Sequence, residues 1–240
     1  MKKIMIAMIS AAVILAGTTV LADEFPVVVE AKVKAVLSAE REGVLAKLDV
    51  DTGDRVKKGA VLAEVFHKDL VYKKQQAEEK NKYLKMQLDN LSKLDEKGLA
   101  TAEELARAGM ELAVNEKDIS IMGTQIARSE IKAPFSGIIV TRHVQPHEWV
   151  RPGQPVVELY DPNKLRVVAD IPSDIAVKLK KKQKTRLFFP DLNKNFNASV
   201  AVFAPQVEVR SNTVKVYWKI SDKSGKLIPG MKGVLKLGSE

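Results

Sequence analysis

The apolar residues of this chain are laid out symmetrically about Gly98, and few folds accept such a plan. Leucine or alanine recurs every seven residues at Leu70, Ala77, Leu84 and Leu91, and beyond Gly98 the period resumes at Leu105, Leu112, Ile119 and Ile126. Each of these has a counterpart equally far from Gly98 on the other side. Two related segments flank the stretch: Gly43-Val44-Leu45 to Val56-Lys57-Lys58-Gly59, and Gly137-Ile138-Ile139 to Val150-Arg151-Pro152-Gly153. In both, 16 positions separate the first glycine from the last. A chain written this way goes out, turns at Gly98 and returns between two copies of one unit.

The outward and returning stretches read as helices. From Lys68 to Leu94 there is no proline or glycine, and Lys, Glu, Gln, Leu and Met, all good helix formers, dominate. An apolar period of seven sustained over about four heptads predicts a coiled coil. The stripe is narrow because Lys73, Lys80 and Asn81 between its members are polar, which suits two helices packed on each other. About 26 residues per helix at ~1.5 Å rise would project roughly 40 Å. Gly98 supplies a left-handed position that ends the first helix, and Thr101 with Glu104 is a capping box that starts the second. Gly109 and Gly123 weaken the second helix by about 1 kcal/mol each relative to alanine and are read as tolerated.

Each glycine segment reads as short strands joined by turns. Lys47-Leu48-Asp49-Val50 alternates, Thr52-Gly53-Asp54 turns, and Ala60 to Val65 follows the second glycine. The later copy repeats this with a turn near Pro146-His147 and a run from Val156 to Leu159. Two such copies make a small β-sandwich. Farther on, Leu165–Ile171 is strand-like, and Pro172-Ser173-Asp174 opens a helix expected to run to about Lys181. Strand-like runs follow at Arg186–Phe189, Ala198–Phe203 and Val214–Ile220, and the valines from Val27 to Val33 supply a further strand.

A length of 240 residues accommodates one to three small domains, with 45% hydrophobic and 29% charged residues as in a folded protein. Lys2 and Lys3 precede an apolar run from Ile4 to about Ala16, and Val20 and Ala22 stand at the −3 and −1 positions of a signal-peptide cleavage site. Cleavage before Asp23 is expected, with an uncleaved anchor as the competing reading. There are no cysteines, so disulfides, thiolate metal sites, cysteine nucleophiles and a lipidated amino-terminal cysteine are all excluded. Loss of Lys2 and Lys3 lowers the net charge from +9 to +7. For an exported chain this modest excess favours anionic membrane or protein surfaces and argues against nucleic acid.

With these features the chain resembles the periplasmic adaptor subunits, or membrane fusion proteins, of bacterial efflux and secretion systems (the HlyD-like family). The residues that carry the resemblance are Glu42-Gly43-Val44-Leu45, Thr52 to Leu62, Lys97-Gly98-Leu99-Ala100-Thr101, Ile131-Lys132-Ala133-Pro134-Phe135-Ser136-Gly137-Ile138-Ile139 and Pro229-Gly230-Met231. The resemblance implies a mainly β fold with a long α-helical hairpin: a split lipoyl-like β-sandwich interrupted by an antiparallel coiled coil, plus a β-barrel domain. The expected divisions are a signal peptide at 1–22, a first barrel strand at 23–37, lipoyl-like halves at 38–67 and 131–160, the hairpin at 68–130 and the barrel at 161–240. It further implies a homo-oligomeric ring joining an inner-membrane transporter, of RND type in preference to ABC type, to a TolC-like outer-membrane channel. No catalysis and no cofactor are implied.

The same resemblance points to Asn90, Leu94, Gly98, Leu99 and Thr101 as the channel-docking tip. Where relatives carry Arg, Leu and Ser, this chain has Asn90, Leu94 and Thr101. A dense basic cluster includes Lys178, Lys181, Lys182 and Lys184. It reads first as a solvated face, and alternatively as a contact for an acidic transporter surface or lipid headgroups. His67, His143 and His147 read as ordinary surface or turn residues, and Lys68 as a helix-start residue in place of a modified carrier lysine. A lipoyl- or biotin-type carrier and a free-standing periplasmic structural or regulatory protein are the alternative functions.

Overall fold

A computed structural model describes residues 23–222 and 225–237. The expected signal peptide at 1–22 lies outside the described residues. In chain order the strands and helices are β1 (Asp23–Ala31), β2 (Lys34–Ser38), β3 (Gly43–Leu48), β4 (Arg55–Val56), β5 (Val61–Val65), α1 (Lys68–Asp95) and α2 (Ala102–Ala127). There follow β6 (Glu130–Lys132), β7 (Gly137–Arg142), β8 (Trp149–Val150), β9 (Pro155–Tyr160), β10 (Leu165–Pro172), α3 (Ser173–Ala176), β11 (Lys184–Phe189), β12 (Lys194–Glu208), β13 (Thr213–Ile220) and β14 (Lys232–Leu237). The chain forms two compact units, one from Glu30–Arg166 and the other from the segments on either side of it.

In the Glu30–Arg166 unit, two four-stranded sheets have the orders β2-β9-β7-β4 and β6-β5-β3-β8. Both sheets draw strands from before α1 and from after α2. Their shared core holds Leu45, Leu62 and Val65 from the first half, with Ile139, Val150, Val157 and Leu159 from the second. Full burial of an aliphatic side chain of this size contributes about 1.5–3 kcal/mol, so each half depends on the other for most of its stability.

The two halves are related in detail. Gly43 corresponds to Gly137 and Gly59 to Gly153, both pairs 94 positions apart, and the main-chain hydrogen bonds repeat with that offset. Gly59 donates to Ala133 and Gly153 to Ala39, each at 2.8 Å. Gly53 donates to Ile139 at 2.9 Å and His147 to Leu45 at 2.8 Å. Gly59 and Gly153 share a φ of +83°, while Gly53 (φ +94°) is matched by His147 (φ 71°). His147 therefore occupies a turn position that the first half gives to glycine.

α1 and α2 pack on each other through a seam that differs from the one expected. Leu70, Leu84 and Ala108 are buried, but so are Asn81 and Asn115, which stand 17 positions on either side of Gly98. Asn81, read from the sequence as a polar interruption, lies in the seam. Asn115 donates its side-chain amide to the Ala77 carbonyl at 3.0 Å, and the buried amide nitrogen of Asn81 has no partner among the described residues. An ion pair between Lys85 and Glu116 at 3.2 Å flanks the layer.

The other unit is a closed six-stranded barrel in the order β1-β10-β13-β12-β11-β14. Val27, Val29, Ile171, Leu187, Phe189, Val216, Trp218 and Leu235 fill it, and Phe189 meets Phe196 edge-on with ring centroids 5.5 Å apart. Two expectations are corrected. The stretch 23–37 is not one barrel strand: β1 pairs with β14, whereas β2 pairs with β9 in the other unit. The helix expected from Ser173 to about Lys181 stops at Ala176. There the main chain tightens into single turns, with Lys178 N–H on the Ile175 carbonyl and Leu179 N–H on that of Ala176. The crowded lysines beyond give a longer helix no charge partner.

Candidate functional site

The turn between α1 and α2 is fixed by local chemistry alone. Gly98 has φ +70°, its N–H meets the Asp95 carbonyl at 2.8 Å, and the Leu99 N–H meets the Leu94 carbonyl at 2.9 Å. This paired arrangement is a Schellman motif, which satisfies carbonyls a helix end leaves open and brings the side chains at its two ends together. Here those side chains are Leu94 and Leu99, 41% and 71% exposed.

On the other side Thr101 caps α2. Its hydroxyl accepts the Glu104 N–H at 3.2 Å, and its own N–H donates to the Glu104 carboxylate at 2.9 Å. The hydroxyl also donates to the same carboxylate at 2.9 Å. These bonds from the Thr101 main chain and then its hydroxyl hold the Glu104 carboxyl below its ordinary value. The Thr101 hydroxyl is thus already engaged as both donor and acceptor. Of the five residues expected at the tip, Leu94, Gly98, Leu99 and Thr101 gather at the turn, and exposed Asn90 lies one helical turn before Leu94.

The sides of the helices opposite the seam are also apolar in places. Tyr72, Tyr83 and Met86 on α1 are more than half exposed, as are Met110, Val114 and Ile121 on α2. At helical spacing each trio lies on one face. Sequence reasoning passed over both because it followed only the seven-residue period.

The basic cluster divides in two. Lys178, Lys181 and Lys182 are exposed on the turn after α3, with Lys182 at φ 68°. Lys184 begins β11 and pairs with Ser199 of β12. His67 Nδ1 lies 3.0 Å from the Val65 carbonyl, and His147 is held in its turn. Among the described residues no group of three His, Asp or Glu side chains could hold a metal ion. Lys68 is the exposed first residue of α1. No helix among the described residues is long and apolar enough to cross a membrane.

Comparison with known proteins agrees with this architecture. Residues 33–161 match the CzcB-like barrel-sandwich hybrid domain and residues 165–240 the CusB-like β-barrel domain. A putative membrane fusion protein, SilB of Salmonella typhimurium, is 25% identical over 210 residues, covering 85% of this chain and 46% of its own length. The chain spans less than half the length of the curated relatives it matches. A MacA–MexA chimeric protein containing the Pseudomonas aeruginosa MexA α-hairpin domain has the same fold, with a TM-score of 0.78 at 20% identity over 90% of this chain and 82% of that one. The membrane fusion protein Spr0693 of Streptococcus pneumoniae R6 superposes with a TM-score of 0.75 at 14% identity, over 91% of this chain and 100% of that one. The barrel-sandwich hybrid split around α1 and α2, followed by its β-barrel, places the chain in the membrane fusion protein family, with a CzcB-like hybrid domain and a CusB-like barrel.

Proposed function

We propose that this chain is a non-catalytic periplasmic adaptor that links an inner-membrane efflux transporter, of RND type in preference to ABC type, to a TolC-like outer-membrane channel. The copies assemble side by side as a ring. α1 and α2 act as an antiparallel coiled-coil hairpin, an arm of roughly 40 Å at ~1.5 Å per residue, whose tip docks on the channel. In this reading the chain divides into a signal peptide at 1–22, lipoyl-like halves at 38–67 and 131–160 around the hairpin at 68–130, and the barrel at 161–240, with β2 joining the first lipoyl-like half.

The observation that carries this reading is a helix pair inserted into a β domain and ending in an apolar turn, where Leu94 and Leu99 stay exposed among the described residues. The exposed trios on the outer faces of α1 and α2 support lateral packing between copies, since apolar residues at helical spacing on an exposed face suit a neighbouring helix. At the tip, Asn90, Leu94, Gly98, Leu99 and Thr101 offer apolar contact and one amide. The turn at Lys178, Lys181 and Lys182, with Lys184 at the start of β11, offers cations to an acidic transporter face or to lipid headgroups.

The test is site-specific crosslinking in cells from Thr101→Cys and Leu99→Cys, with the mass of the purified chain in solution measured in parallel. The expected result is capture of an outer-membrane channel and a multimeric species. A chain that stays monomeric and captures no envelope partner overturns the reading.

A further inference from the structure

The outer face of the barrel carries a cation-lined cleft that extends beyond the basic turn. Antiparallel pairing sets Lys184 of β11 opposite Ser199 of β12, and Ser199 opposite Lys219 of β13. Arg186, two residues along β11, points the same way and faces Asn197. A cleft of about 570 Å³ lies over these strands, and no acidic residue lines it. Lys184, Arg186 and Lys219 are all exposed, and none has an ion-pair partner among the described residues.

Two acids of the same unit already have partners. Glu24 pairs with Lys236 at 2.7 Å, and Asp222 accepts the Leu227 N–H at 2.7 Å. Strands are spaced ~4.8 Å apart, so Lys184 and Lys219 stand roughly 9.6 Å apart with the Ser199 hydroxyl between them. An anion above Ser199 is within reach of both flexible ammonium groups and of the guanidinium fork of Arg186. Three like charges held together on one sheet repel each other until an anion arrives.

We propose that this cleft binds a phosphate group carried on a small polar body. A carboxylate offers two acceptor oxygens and one charge. A phosphate monoester offers a third oxygen and more charge, which matches two ammonium groups, a bidentate guanidinium and a hydroxyl donor, while a diester headgroup still offers two oxygens and one charge. The volume exceeds that of a bare phosphate, so a glycerol-phosphate unit fits the shape, whether free or as the headgroup of an anionic lipid. The inference does not rest on the adaptor reading.

The experiment titrates the purified full chain by calorimetry with inorganic phosphate, with glycerol 3-phosphate and, as a carboxylate comparison, with a polyglutamate peptide. It also floats the chain with phosphatidylcholine vesicles, with or without phosphatidylglycerol. Three variants accompany it: Lys184→Gln/Lys219→Gln in the cleft, Lys178→Gln/Lys181→Gln/Lys182→Gln in the turn, and Lys57→Gln/Lys58→Gln in the other unit as a charge-matched control. Circular dichroism confirms that each is folded.

The cleft pair is expected to weaken binding by about tenfold, as loss of charge-assisted bonds implies, while the control stays within about twofold of the parent. Binding of the soluble probes identifies free phosphate esters as the source, and binding of phosphatidylglycerol vesicles alone identifies the headgroup. Failure of every probe overturns the proposal. So does loss confined to the turn variant, equal loss in all three variants, or binding of an acidic polyglutamate peptide as tight as that of the phosphate probes.

Discussion

The side-chain amide of Asn115 donates to the main-chain carbonyl of Ala77 on the facing helix at 3.0 Å, placing a polar layer inside an apolar seam. Asn81 shares that seam, with its buried amide nitrogen unpartnered. Buried polar groups at such positions commonly fix register at a cost in stability. Asn81→Leu is therefore expected to raise stability by about 1–2 kcal/mol, and Asn115→Leu to make pairing of the helices less selective. Urea unfolding checks the first. Disulfide formation between Leu84→Cys and Leu112→Cys, compared with the offset pair Ala77→Cys and Leu112→Cys, checks the second.

Gly53 and His147 occupy equivalent turns with positive φ, so substitutions there should have opposite signs. Gly53→Ala is expected to cost about 1 kcal/mol, and His147→Gly to recover up to a similar amount. Thermal unfolding of the two variants beside the parent decides the matter. A destabilised His147→Gly would mean that the imidazole contributes more than its backbone position costs.

Two other glycines should also part company. A Cβ on Gly137 would collide with the Tyr160 carbonyl oxygen, whereas one on Gly123 meets nothing within 4 Å. Gly137→Ala forces β7 away from β9 and is expected to cost 3 kcal/mol or more, on the order of the larger overpacking penalties. Gly123→Ala, in an open helical position, is expected to gain about 0.5–1 kcal/mol. Urea midpoints of the two variants, measured in parallel, test the ordering.

The cap of α2 sets a pH dependence. Glu104 is held below its ordinary 4.5, chiefly by the Thr101 N–H and next by its hydroxyl. A depressed carboxyl adds stability above its unfolded value and loses it as the pH falls through its folded value. The parent should thus exceed Glu104→Gln in stability at neutral pH, and the two should converge in acid below the folded value. Thermal melts followed from pH 7 down through the acid range would show this, and a gap that never closes on acidification would assign the effect to packing. Thr101→Ala should lower stability at neutral pH by about 1 kcal/mol.

What could be read from the sequence was local. Gly98, Thr101 and Glu104 encode their turn and cap in neighbouring residues, and the repeated glycines mark turns whose backbone excludes most side chains. The buried layer at Asn81 and Asn115 is hidden in the sequence, where polarity reads as exposure. Similarly, the split of 23–37 between two sheets and the meeting of Lys184 with Lys219 depend on strand partners far away in the chain. Nothing near Val33 says that β2 will pair with β9. Lys219 enters the cleft only because β12 lies between it and β11.

Because both sheets of the sandwich take strands from each half, β2 to β5 have no complete partner set until residues as far as Tyr160 are present. A chain emerging amino end first passes through an interval with unpaired strand edges, the condition that invites misassociation. The helices shorten that interval. Helices form within about a microsecond, and when α1 and α2 close on each other they deliver Ser129 to Val65, whose main-chain groups bond at 2.8 Å. A long and entropically costly closure becomes a short one. The arm is then also an assembly jig for its own domain, and damage to the seam would surface first as a lower yield of folded protein.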